Sequence, residues 1–122
     1  MTRTSQHIAR HWTRLFKAAA LGISYSRGAS SVELDAVPAS TTVSVEDADG
    51  VSIRSKRRDW LVRAHTLLLA GNVVRPQVGD RITNGQLIYE VNRLAGEDCY
   101  TPCYDGEVLR VHSRLISVET TQ

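Results

Sequence analysis

Asn84-Gly85, set between two runs that alternate apolar and polar residues, constrains this chain more than any other feature. A two-residue type I′ turn needs positive φ at both central positions, and Asn-Gly tolerates that best. The sequence therefore predicts a β-hairpin in which Thr83 faces Gln86 and Ile82 faces Leu87. Successive side chains on a strand point to opposite sides of the sheet. Ile82, Leu87, Tyr89 and Val91 then share one face, while Arg81, Gln86 and Glu90 share the other.

The alternation extends over most of the chain. Ile23 and Tyr25 alternate with polar neighbours up to the break at Arg27-Gly28, and Val32, Leu34 and Ala36 alternate up to Pro38. Val43 and Val45 lead into the turn sequence Asp47-Ala48-Asp49-Gly50, and Val51 and Ile53 lead out of it. Trp60 and Val62 follow the basic cluster, and residues 108–112 and 115–118 supply closing strands. Short strands at this spacing, separated by turn residues, read as a mainly β fold: a small antiparallel β-barrel of about seven strands with an N-terminal α-helix. Residues 1–21 form the helical segment and residues 22–122 the barrel domain. Trp60, Val62, Ile82, Leu87, Tyr89, Val91, Leu109 and Val111 are expected inside. The run His65 to Gly71 is too short to show a period and reads as a turn or a single helical turn that tucks leucines beneath the barrel.

In the N-terminal segment, Ile8, Trp12, Leu15, Phe16, Ala19 and Ala20 recur at helical spacing and draw one apolar stripe. Gly22 stands where a C-terminal cap belongs. Up to Arg27 the segment is basic and holds no acid. Three readings fit such a helix: a targeting presequence, a membrane-surface helix, or a helix that packs its stripe on the domain or on a partner. The third is the one adopted.

At 122 residues the chain suffices for one domain with its own core. Fifteen basic against thirteen acidic residues leave a net charge of +2, too little to argue for a dedicated nucleic-acid binder. No apolar run approaches the roughly 18 residues that span a bilayer. The two cysteines, Cys99 and Cys103, make no disulfide framework. With His112 they offer three soft ligands, but a structural zinc site wants four, so small, partly buried hydrophobes are the simpler reading. No Ser/His/Asp set follows a recognisable spacing, and the sequence predicts no catalytic residue, no metal and no cofactor. Arg54, Lys56, Arg57 and Arg58 form a basic cluster suited to DNA or to a charged neighbouring subunit, or else to a solvated hairpin.

The order of these pieces resembles the small head–tail connector proteins of tailed bacteriophages, the head-completion or stopper class of the neck. It is carried by the helix with Trp12, Tyr25-Ser-Arg27-Gly28-Ala-Ser-Ser-Val32-Glu-Leu34, and Asp59-Trp-Leu-Val62. Pro76-Gln-Val-Gly79-Asp80-Arg-Ile82, Asn84-Gly85, Tyr89-Glu-Val91, Gly96-Glu97-x-Cys99 and Leu109-Arg-Val-His112 continue it. The chain departs from the usual pattern in its basic, acid-free helix and in Cys103. The resemblance implies a non-enzymatic virion protein, assembled in the bacterial host cytoplasm. It joins a homo-oligomeric ring in the neck, closes the portal after DNA packaging and offers the tail a platform. Its implied partners are a portal or adaptor ring, tail proteins, other copies of itself and the packaged DNA in the lumen, with no membrane. On this reading Trp12, Leu15 and Phe16 of the helix, and Leu67, Leu68 and Leu69 of the connector, exceed what an isolated barrel needs and are candidate partner contacts. A small β-barrel adaptor that binds nucleic acid or protein is the alternative.

Overall fold

The computed structural model describes residues 13–46, 48–94 and 96–118, with side chains described throughout except at 41–46, 52–56, 117 and 118. A short helix, α1, covers residues 13–19, and the regular structure described after it is strand apart from one 3-10 turn. These are β1 (Leu21–Arg27), β2 (Ser30–Glu46), β3 (Ser52–Arg63), β4 (Leu68–Leu69), β5 (Asn72–Val73), β6 (Arg81–Asn84), β7 (Leu87–Val91), β8 (Tyr100–Cys103) and β9 (Val108–Val118). The main sheet runs β3-β2-β1-β6-β7-β9-β8, and β9 also pairs with β3. Six antiparallel strands thus close into a barrel, with β8 as an extra strand on the outside of β9.

Closure depends on long strands that change neighbours. β2 pairs with β1 over Ser30 to Ala36 and with β3 from Ala36 to Glu46. β9 pairs with β3 over Val108 to Ser113 and with β7 from Ser113 to Val118. A register shift between Ile88 and Tyr89 lets β7 curve along β9, as a bulge does where a barrel wall bends. Pro38 does not end a strand, as the sequence suggested; β2 runs straight through it. The ladder to β1 stops at Ala36, so Pro38 sits where β2 is paired on the β3 side alone, and there a missing N–H is tolerated.

The alternation delivers one continuous interior. Ile23, Tyr25, Leu34, Ala36, Trp60, Val62, Ile82, Tyr89, Val91, Leu109 and Val111 are all buried in it, and the Trp60 and Tyr89 rings meet edge to face at 5.4 Å. Of the residues expected inside, Leu87 alone is only half-buried, packed on the margin of this core. A second cluster lies on the outer wall. Val37 and Leu61 face each other across β2 and β3, and Phe16 of α1, 3% exposed, covers them together with Val108. The Arg63 guanidinium stacks 4.4 Å above the Phe16 ring. Helix α1 therefore packs on its own barrel. The positions before Thr13, including Ile8 and Trp12, lie outside the described residues.

Two turns differ from the sequence expectation. In the β6–β7 hairpin, Asn84 pairs with Leu87 and Ile82 with Tyr89, so the loop is Gly85-Gln86 and not Asn84-Gly85. Gly85 has φ of +60° while Gln86 keeps negative φ, which is the type II′ arrangement with glycine first. The displacement moves each partner by two residues, an even number, so the predicted faces survive. The connector after β3 forms a 3-10 turn at Ala64–Thr66 and then a small hairpin, β4–β5, turning on Ala70 and Gly71, both at positive φ.

Candidate functional site

The basic cluster lies on β3, where that strand leaves the barrel. Arg58, Arg57, Lys56 and Arg54 are opposite Ser40, Thr41, Thr42 and Ser44 of β2. From Thr41↔Arg57 to Glu46↔Ser52 the two strands pair only with each other among the described residues, forming a ribbon that extends beyond the wall. The side chains of Arg54 and Lys56 lie outside the described ones. The β3–β9 ladder ends at Arg58↔Ser113, after which β3 continues with β2 while β9 crosses to β7. At this fork Arg57, Arg58 and Arg114 come together with Ser40, Tyr89 and Leu115 around an open cleft of about 380 Å³. Arg114 brings a third guanidinium from a strand more than fifty residues away. No local sequence signal points to it, because its place depends on the register of β9.

The candidate apolar contacts divide. Phe16, Leu67 and Leu69 are 3%, 0% and 5% exposed, their apolar surface already covered within the chain, and Leu15 packs partly on the outer-wall cluster. Leu68 faces outward, 40% exposed, opposite Val73 at 58%. This cross-strand pair on β4–β5 forms an apolar projection that strand alternation predicts once the hairpin is known. The sequence missed the hairpin, since strands of two residues carry no period.

The buried carboxylates serve the scaffold. Asp80 accepts hydrogen bonds from the Tyr25 hydroxyl at 2.5 Å, from Nε and Nη2 of Arg27 at 2.8 Å each, and from the Gln77 backbone N–H at 2.9 Å. Nη2 of Arg27 also donates to the Arg75 carbonyl at 2.7 Å, so the network anchors the connector before β6 to β1. Burial, helped by the Asp80 carboxylate, pushes the Tyr25 hydroxyl well above its ordinary pKa. The hydrogen bond to Asp80 raises that of Arg27 further.

Asp59, fully buried, accepts from Arg110 Nε at 2.6 Å and meets His112 Nδ1 at 3.1 Å. Nε2 of the same imidazole lies 3.3 Å from the Thr101 hydroxyl. Carboxylate, imidazole and hydroxyl stand in the order of a nucleophile relay. Thr101, however, is a ladder residue of β8 opposite Arg110, and the network ties β3, β9 and β8 together. Cys99 is buried with its thiol 3.5 Å from the Pro76 carbonyl, and burial raises its pKa. Cys103 packs partly against the outer-wall cluster. His65 is exposed in the 3-10 turn, while His7 and His11 lie outside the described residues. Among the described residues no three His, Cys, Asp or Glu side chains are grouped to hold a metal ion, and no helix is long and apolar enough to cross a membrane.

A family model described as phage head-tail joining protein matches residues 1–120. Among curated proteins compared with the chain, none matches. The family match spans nearly the whole sequence, and the chain belongs to that family.

Proposed function

We propose that this member of the phage head-tail joining family forms a ring in the neck of the virion, where it closes the portal after DNA packaging and gives the tail its attachment platform. Membership itself gives the coarser role, that of a structural connector protein of the phage particle acting with head and tail proteins. The single observation that carries the proposal is the family match over residues 1–120.

The architecture supports it. A ring subunit needs a wall that keeps its shape under load, and a closed six-stranded barrel with its carboxylates tied across strands provides that. It also needs surfaces left over for neighbours. The ribbon of β2 and β3 projects past the wall, and Leu68 with Val73 stands out as an apolar pair. We assign the contacts between copies, or with the adjoining ring, to that pair, with Leu15 and Trp12 of the helical segment as further contacts. A connector performs no bond-making step, so the polar networks are read as structural and the protein as non-enzymatic.

The test is removal of the gene from its phage. Filled or leaking heads and separate tails, with no joined particles, are the expected result. Normal yields of joined, infectious virions in its absence would overturn the reading. Monomeric behaviour of the isolated chain is compatible with it, since such a ring can form on its neighbour as a template.

A further inference from the structure

We infer that the fork between β3 and β9 is a phosphate-binding site that grips the backbone of duplex DNA. The inference rests on the proposed neck location for the source of the phosphate, but the site itself rests on geometry alone. Two strands that pair up to Arg58↔Ser113 separate there, and the cleft opens between them. Arg57 and Arg58 of β3 and Arg114 of β9 line it together with Ser40, buried Tyr89 and exposed Leu115.

Among the described residues the charge in this cleft is poorly compensated. Glu90 approaches Arg114 only to 4.0 Å, and Arg114 is 62% exposed, so their attraction is weak. Asp59, next in sequence to Arg58, is already engaged by Arg110 and His112. Nη1 of Arg57 is shielded from solvent and has no hydrogen-bond partner among the described residues. A buried guanidinium N–H is normally paired, so this one marks the position of an acceptor.

A phosphodiester fits that position best. Guanidinium groups pair with phosphate through fork-like donor geometry, and each successive phosphate of a strand brings one more negative charge for the next arginine. The cleft is an open groove rather than an enclosed cavity, and among the described residues its only uncharged polar side chain besides the buried Tyr89 is Ser40. It is therefore equipped to hold a backbone and poorly equipped to read bases. A grip of this kind is weak, indifferent to sequence and steeply dependent on salt, which suits DNA that has to slide.

The test uses the full chain with a short fluorescent DNA duplex, followed by anisotropy over a salt series, with inorganic phosphate as competitor. Wild-type protein should bind at low salt, with log K falling against log salt at a slope of up to about −2.7 if each arginine meets one phosphate. Arg58→Gln and Arg114→Gln alter exposed side chains. Each should weaken binding several-fold and flatten the slope by about 1. Arg93→Gln, away from the fork, should change nothing, and phosphate should compete. Absence of binding by the wild type, or equal binding by the fork variants, overturns the inference. So does a result in which the fork variants bind DNA normally but fail to assemble, because the acceptor is then a neighbour's carboxylate. Protein that joins heads to tails yet ignores DNA refutes the site and leaves the neck role intact. A fork that binds DNA in a protein dispensable for joining does the reverse.

Discussion

Replacing Asp80 with alanine should be among the most damaging single changes available to this barrel. The carboxylate is 3% exposed and accepts four hydrogen bonds, so its removal strands several donors at once. The Tyr25 hydroxyl, on a residue with 0% exposure, loses its acceptor, and a buried unsatisfied group costs about 1–3 kcal/mol. The Arg27 side chain is 29% exposed, so water recovers much of its loss and about 1 kcal/mol is a fair share. The Gln77 N–H adds about 1 kcal/mol more. The sum, about 3–5 kcal/mol, agrees with the usual cost of breaking a buried pair and is a large part of the about 5–15 kcal/mol that holds a domain folded. The assay is urea unfolding followed by circular dichroism at neutral pH, at one protein concentration. Tyr25→Phe completes a double-mutant cycle: it should destabilise the wild type and do little in the Asp80→Ala background, a coupling of about 1.5–3 kcal/mol. A loss below about 1 kcal/mol for Asp80→Ala, or a Tyr25→Phe cost that is the same in both backgrounds, would refute the reasoning.

The same tyrosine predicts a response to alkali. Its raised pKa means that the folded state keeps a proton which the unfolded chain releases near 10.0, so this contribution is intact below that pH and is lost as pH rises above it, by at most about 1.4 kcal/mol per pH unit. Urea midpoints measured from about pH 9 to about pH 11 should fall less steeply in Tyr25→Phe. In the β6–β7 turn, Gly85→Val forces a branched side chain to φ of +60° and should cost at least about 2 kcal/mol, while Asn84→Gly should cost about 0.5–1 kcal/mol; comparable unfolding midpoints for the two would contradict the observed loop. Leu109→Ala, at a fully buried position, should lose about 2–5 kcal/mol and half-buried Leu87→Ala clearly less, a ranking that denaturation reads directly. Leu68→Lys should leave stability within about 0.5 kcal/mol yet impair head-tail joining in complemented phage; normal joining would remove Leu68 from the proposed interface.

Alternation made the barrel legible because period-two burial is local: Trp60, Val62, Ile82, Tyr89 and Val91 declare themselves by spacing alone. The exact turn was not legible. Only Gly85 needs positive φ, and Asn84, which looked like a turn residue, stays in the ladder. Asp59 and Asp80 were opaque for a different reason. In the sequence one closes a basic cluster and the other ends a Gly-Asp turn, both ordinary solvent positions. Their burial is permitted by Arg110 and Tyr25, 51 and 55 residues away. The fork was hidden likewise, because it exists only where β9 changes partners at Ser113.

That β2 and β3 run unbroken from the wall into the ribbon has a mechanical consequence. Antiparallel hydrogen bonds lie across the strands, so a pull on the ribbon along its length shears them together instead of peeling them singly. The ladder to β1, from Leu21↔Ala36 to Arg27↔Ser30, and the ladder to β9, from Arg58↔Ser113 to Arg63↔Val108, bear the load in parallel. Among the described residues no hinge interrupts either strand between tip and barrel, and Asp59 is clamped to Arg110 just inside the point where they emerge. A push or pull at the tip of the ribbon is thus delivered through these two ladders to the barrel wall on both sides of it.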